Sequence, residues 1–128
     1  MYIYYDKDLD YVEIFFKKAD NYLVPMKSND QIGEFRSNKN NAIIGYSIEN
    51  FQDNFDTLGF LTPYQKLSII IKKYRIQKGK TQQEMAKVMG MQLLPYQRLE
   101  SGDNNPTLKT ILKVKEIFPE LDLNKIAS

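Results

Sequence analysis

The chain contains neither cysteine nor histidine. Without thiolate or imidazole there is no ordinary ligand set for zinc or haem, and no disulfide. Nucleophilic catalysis by Cys–His or Ser–His pairs is excluded as well. Chemistry would rest on carboxylates, lysine, tyrosine or serine alone. No carboxylate pair, and no serine with a plausible base, stands out as a catalytic constellation. A binding module is therefore expected rather than an enzyme, with no metal and no cofactor. No apolar run reaches the roughly 18 residues of a membrane span. The opening Met1-Tyr2-Ile3-Tyr4-Tyr5-Asp6 lacks the basic start of a signal peptide. A cytoplasmic protein away from membranes is the expectation.

The 128 residues suit one domain or two very small ones. The net charge of +2 is uninformative as a total, but it hides a partition. Residues 1–61 carry six basic side chains against ten carboxylates, a net of −4. Residues 62–128 carry twelve against six, a net of +6. An acidic half joined to a basic half hints at a nucleic-acid-binding segment.

Periodicity changes at the same place. In the first half apolar residues alternate with period two. Val12, Ile14 and Phe16 share one face of a strand, and Tyr11, Glu13 and Phe15 the other; Ile44, Tyr46 and Ile48 repeat the pattern. Turn-forming clusters separate the runs: Asp6-Lys7-Asp8, Asp20-Asn21, Ser28-Asn29-Asp30 and Ser37-Asn38-Lys39-Asn40-Asn41. Strands are expected near 2–5, 11–16, 22–26, 31–36 and 42–49, with Pro25 marking an edge or an end. Such short loops favour an antiparallel meander. Asp6, Asp8 and Asp10 alternate like the opening of a calcium loop. Tyr11 and Lys17 stand where that loop needs Gly and Glu, so a turn is the better reading.

From Thr62 the period is helical. Thr62-Pro63-Tyr64-Gln65 joins a capping Thr to Pro at the first helical position, opening a helix to about Gln77. Thr81-Gln82-Gln83-Glu84 is a second capping box, for a short helix through Met89 that stops at Gly90. A third helix covers about Leu93–Ser101 and closes at Gly102. Asn105-Pro106 starts a fourth to about Phe118, where Pro119 ends it, and a short turn follows Asp122.

Short helix, glycine-centred turn, short helix is the layout of a helix-turn-helix. Tyr74-Arg75-Ile76-Gln77-Lys78-Gly79-Lys80-Thr81-Gln82-Gln83-Glu84-Met85-Ala86 resembles the opening of the lambdoid repressor/Cro family, also called the XRE family. The likeness continues through Gly90, Leu99-Glu100-Ser101-Gly102 and Asn105-Pro106-Thr107, and covers about residues 66–124. It implies a core of Met85, Val88, Met89, Tyr96, Leu99, Leu108, Leu112 and Ile117. It also implies an ion pair of Arg75 with Glu100, tying the first helix of the domain to the end of the third.

The resemblance places Gln92, Leu93, Leu94, Pro95, Gln97 and Arg98 at the major groove. Here the chain departs from the usual polar set. Leu93 and Leu94 can touch a thymine methyl but cannot read a hydrogen-bond pattern. Base-reading candidates are therefore Leu93, Leu94, Gln97 and Arg98. The other reading is that Leu93 and Leu94 meet a protein. Phosphate candidates are Lys78, Lys80, Thr81, Gln82, Gln92, Asn104 and Asn105, which would hold register rather than read sequence. Lys109 and Lys113 extend that patch or form a solvated face.

Tyr5-Asp6-Lys7-Asp8-Leu9-Asp10-Tyr11-Val12-Glu13-Ile14, with Ile43-Ile44-Gly45-Tyr46-Ser47-Ile48-Glu49, resembles a small β-rich family of unknown function. The expected fold class is α+β. A small antiparallel β-sheet domain over 1–51 serves interaction or dimerisation. A connection over 52–61 leads to a four- or five-helix lambda-repressor-like DNA-binding domain over 62–128. Expected partners are double-stranded DNA at a near-palindromic operator, a second copy in a homodimer, and a protein toxin. The architecture fits an autoregulatory repressor that is the antitoxin of a bacterial toxin–antitoxin pair. The rivals are a stand-alone or phage repressor with a β dimerisation domain, and an adaptor whose helix-turn-helix binds protein.

Overall fold

In the computed structural model, residues 1–17, 26–27, 31–103 and 105–127 are described. The chain divides into two units, Met1–Leu58 and Gly59–Ser128. The fold class is α+β. The expected strand over 22–26, the turns at Asp20-Asn21 and Ser28-Asn29-Asp30, Pro25 and Asn104 all lie wholly or largely outside the described residues.

The first unit is a five-stranded antiparallel sheet: β1 (Tyr2–Asp6), β2 (Tyr11–Phe15), β3 (Met26–Lys27), β4 (Ile32–Arg36) and β5 (Ile43–Ile48). Its spatial order is β1-β2-β5-β4-β3, not the expected meander. The last strand lies in the middle. The reason is burial: Val12 pairs with Ile48, and Ile48 with Ile32. All three sit side by side on one face and are buried. At an edge, Ile48 would have a neighbour on one side only.

The turn between β1 and β2 uses the alternating aspartates. Asp6 Oδ1 accepts from the backbone amides of Asp8 and Leu9. Asp10 takes the left-handed conformation, which Asp tolerates better than most residues. Its carboxylate accepts from Tyr5 Oη at 2.8 Å and from the Gln52 amide at 2.7 Å. The aspartates thus tie turn to sheet and sheet to the segment that follows.

That segment, read as a connection whose aromatics suggest packing, carries a short helix, α1 (Phe51–Asn54), and a 3-10 turn (Phe55–Thr57). Phe51 and Leu58 are fully buried, and the boundary between units falls after Leu58.

On the opposite sheet face, Phe15 and Phe35 stack at 4.6 Å between ring centroids. Both pair with Gly45, which lies between them in register. A Cβ at Gly45 would come within 2.1 Å of the Ile14 carbonyl oxygen. Gly45 is there because two backbones approach too closely for any side chain.

The second unit holds α2 (Pro63–Gln77), α3 (Gln82–Val88), α4 (Leu93–Ser101), α5 (Leu108–Ile117) and α6 (Leu123–Ala127). Helix α2 is buried without a break from Lys66 to Ile71. Its Ser68 hydroxyl donates to the Leu99 carbonyl at 2.7 Å, joining α2 to α4. Helix α5 begins two residues later than expected: Thr107, not Asn105, caps it by accepting from the Thr110 amide. The expected core needs correction on the same helix. Leu108 and Leu112 are exposed, as is Val88 on α3, and Ile117 is only half-buried. Val114, Phe118, Leu121 and Ile126 are buried instead. Helix α5 has two apolar stripes, and the one that ends on Phe118 faces inward, with that ring 4.9 Å from Tyr74 of α2.

Gly45→Ala is expected to destabilise the protein by about 2 kcal/mol through forced backbone displacement. Urea unfolding of the full chain measures it; an unchanged midpoint would show that the strand relaxes freely there.

Candidate nucleic-acid interface

Helix α3 forms because its entrance satisfies its own amides. The Thr81 hydroxyl accepts from the Glu84 amide at 3.1 Å, and the Glu84 carboxylate accepts from the Thr81 amide at 3.0 Å. The latter bond holds the Glu84 carboxyl below the usual carboxylate range. The cap is therefore complete at neutral pH and weakens as pH falls into that range. At the far end Gly90 turns the chain with φ at +64°. The Met91 amide donates back to the Ala86 carbonyl, and α4 starts after Gln92.

One polar network sets the relation of α2, α3 and α4. Arg75 Nε donates to Glu100 Oε2 at 2.6 Å, and its Nη2 donates to Oε1 at 3.0 Å. Its Nη1 donates to the Lys80 carbonyl at 2.9 Å, fixing the exit of α2. The side chains are only 13% and 3% exposed. Burial alone would lower the Arg75 pKa, but the bonds and charge of Glu100 outweigh it and hold the pKa above its ordinary value. Gln82 Nε2 also reaches Glu100 Oε1, at 3.3 Å, and Gln97 Nε2 donates to Gln82 Oε1 at 3.1 Å. A bidentate Arg–carboxylate pair is thus continued by two amides to the middle of α4.

Tyr96 lies beside this network with its ring fully buried. Its hydroxyl is buried beside the Glu100 and Arg75 head groups and makes no hydrogen bond of standard geometry among the described residues. Burial first, and then hydrogen-bonding proximity to Glu100 and its charge, push its pKa well up.

The network sorts the residues singled out from the sequence. Arg75 and Glu100 meet as the resemblance implied. Gln82 and Gln97 are half-buried and engaged with each other, so neither amide is idle. Leu93, Leu94 and Arg98 are exposed on α4, Leu94 at 56%. Arg98 lines a recess of about 210 Å³ with Pro95, Asn105, Pro106 and Thr107. Gln92 occupies the cap position of α4 but makes no capping bond with its side chain, and it is exposed. Thr81 is exposed and Lys80 half-buried. Lys78 stands apart from Arg98 and Asn105. Its ammonium lies 5.5 Å from the centroid of Phe118, at the opposite end of α5 from Thr107.

This geometry is a capped helix, a glycine turn and a second helix whose outer face is open. Residues 71–125 match the helix-turn-helix family. That segment is a Cro/repressor-type (XRE family) helix-turn-helix domain. Domains of this family bind DNA and regulate transcription, and the chain carries one. The match leaves residues 1–70 outside it. No curated protein and no solved structure matches the chain. Among the described residues no helix is long and apolar enough to cross a membrane, and no cluster of carboxylates forms a metal site.

Sequence reasoning missed three participants. The amide bridge of Gln82 to Gln97 depends on side-chain reach that spacing alone does not encode. The carbonyls of Lys80 and Leu99, which accept from Arg75 and Ser68, are backbone acceptors and carry no residue-type signal.

Arg75→Ala is expected to cost roughly 3 kcal/mol, because it leaves the Glu100 carboxylate buried and uncompensated. Tyr96→Phe is expected to change stability by less than about 1 kcal/mol, since it removes a hydroxyl with no hydrogen bond of standard geometry among the described residues. Thermal or urea unfolding compares them. A costly Tyr96→Phe would mean that the hydroxyl has a partner.

Proposed function

We propose that this protein represses its own operon as a homodimer on a near-palindromic site, and that the β unit holds a protein partner, as an antitoxin holds its toxin. The observation that carries the DNA half is the outer face of α4, rigidly presented by the Arg75–Glu100–Gln82–Gln97 network. Base readout falls on Arg98, with Leu93 and Leu94 against thymine methyls. Gln97 positions α4 more than it reads bases, because its amide donates to Gln82. Lys80, Thr81, Gln82, Gln92 and Asn105 serve the phosphates. Two such helices about 34 Å apart would read the two halves of the site.

The charge partition supports the assignment of partners. The unit with the helix-turn-helix carries +6, and the β unit −4. A basic surface gains by releasing counterions from duplex DNA, and an acidic one is repelled. Support for a protein partner of the β unit is its exposed aromatic edge at Tyr2 and Tyr4. The exposure of Leu93 and Leu94 favours a second reading, in which α4 meets a protein instead of DNA.

A gel shift against the upstream region of the gene, at two salt concentrations, tests the proposal. Binding is expected at low salt and should weaken steeply at high salt. No shift at low salt would leave the protein-contact reading. Arg98→Ala should reduce discrimination between operator and random duplex about tenfold or more. Gln82→Ala should weaken binding to every sequence by a similar factor.

A further inference from the structure

Helix α5 presents a second apolar stripe that the domain core leaves uncovered. Leu108 and Leu112, one helical turn apart, are 70% and 56% exposed. Beside Leu112 runs a groove of about 640 Å³, floored by Met89, Gly90 and Met91 of the α3–α4 turn. Its rim carries Lys109 and Lys113, again one turn apart. Lys113 faces Glu116 at 3.9 Å. We propose that this groove binds an acidic amphipathic helix from a protein partner.

Three features argue for that occupant. Leucines at i and i+4 match the spacing of apolar residues on a helix laid alongside. Methionines in the floor adapt their shape to such a ligand. The two rim lysines sit at the same one-turn spacing as the leucines, so carboxylates flanking the apolar face of the incoming helix would meet them in register. Duplex DNA fits worse, since phosphates would satisfy the lysines and leave both leucines in water. A second copy of this face fits worse too. In a two-fold contact the patch meets itself, and its net positive charge meets the same charge.

The experiment uses the full-length protein and a synthetic helix-forming peptide of about 16 residues. The peptide carries Leu, Trp and Leu along one face and glutamates on both flanks. The protein has no tryptophan, so the indole of the peptide is the sole such fluorophore. Saturable binding is expected with a Kd on the order of 10 µM, weakened by added salt. Lys109→Glu with Lys113→Glu should weaken it about tenfold or more, and Leu112→Asp should do the same. Both changes are on the outer face of α5, and melting curves check that the variants fold. If Leu112→Asp does not fold, the charge-reversal pair decides. The proposal is overturned by absence of binding, or by equal binding of a peptide with lysines in place of the glutamates. Binding indifferent to the variants overturns it too. So does a Leu112→Asp protein that turns from dimer to monomer with its peptide affinity unchanged, because the face would then belong to a second copy.

Discussion

The ion pair of Arg75 with Glu100 is the constraint on which the DNA-binding unit depends. A carboxylate this deeply buried is tolerable only with its charge matched and its oxygens bonded. Arg75 does both, and its third bond reaches the backbone where α2 ends and the approach to α3 begins. Glu100 Oε1, already bonded to Arg75, also accepts from Gln82 and orients it, and Gln82 orients Gln97. Three helices are thus indexed to one another by directional bonds. Apolar packing among Met85, Tyr96 and Leu99 supplies the cohesion but would tolerate sliding; the polar chain does not. The helix that carries Leu93, Leu94 and Arg98 is therefore held at a fixed angle from its inner side.

The β unit solves a different problem. With so few residues it buries little surface, and its most central strand comes from the end of its sequence. Ile48 is flanked on both sides, and Asp10 gathers a tyrosine hydroxyl and two backbone amides near the start of α1. Closure of the sheet by its last strand makes the unit cooperative: the outer strands pair through β5 or have no common neighbour.

Legibility in the sequence followed the range of the physics. Caps are local, so Thr62, Thr81 and the glycine exits were readable, as were Arg75 and Glu100 once the motif was in view. Strand positions were readable from alternation, but strand order was not, because the preference of Ile48 for two neighbours over one leaves no local trace. The core of α5 was misread for a related reason. Leu108 and Leu112 form as good a stripe as Val114 and Phe118, and partners distant in sequence, such as the ring of Tyr74, select between them. At α4 the exposed side chains were identifiable by position, whereas the inward turn of Gln97 depended on a partner fifteen residues away.

The inward commitment of Gln97 also limits what one domain can say. In the proposed reading, the vocabulary of α4 is one guanidinium and two methyl-sensing leucines, enough to distinguish only a few base pairs. Each mismatch at such positions costs about 1–3 kcal/mol. Against the millions of competing sites in a genome, a single copy would carry too little information to find an address. On that reading the operator would be spelled twice, or spelled partly in the stiffness and groove width of bases the protein never touches.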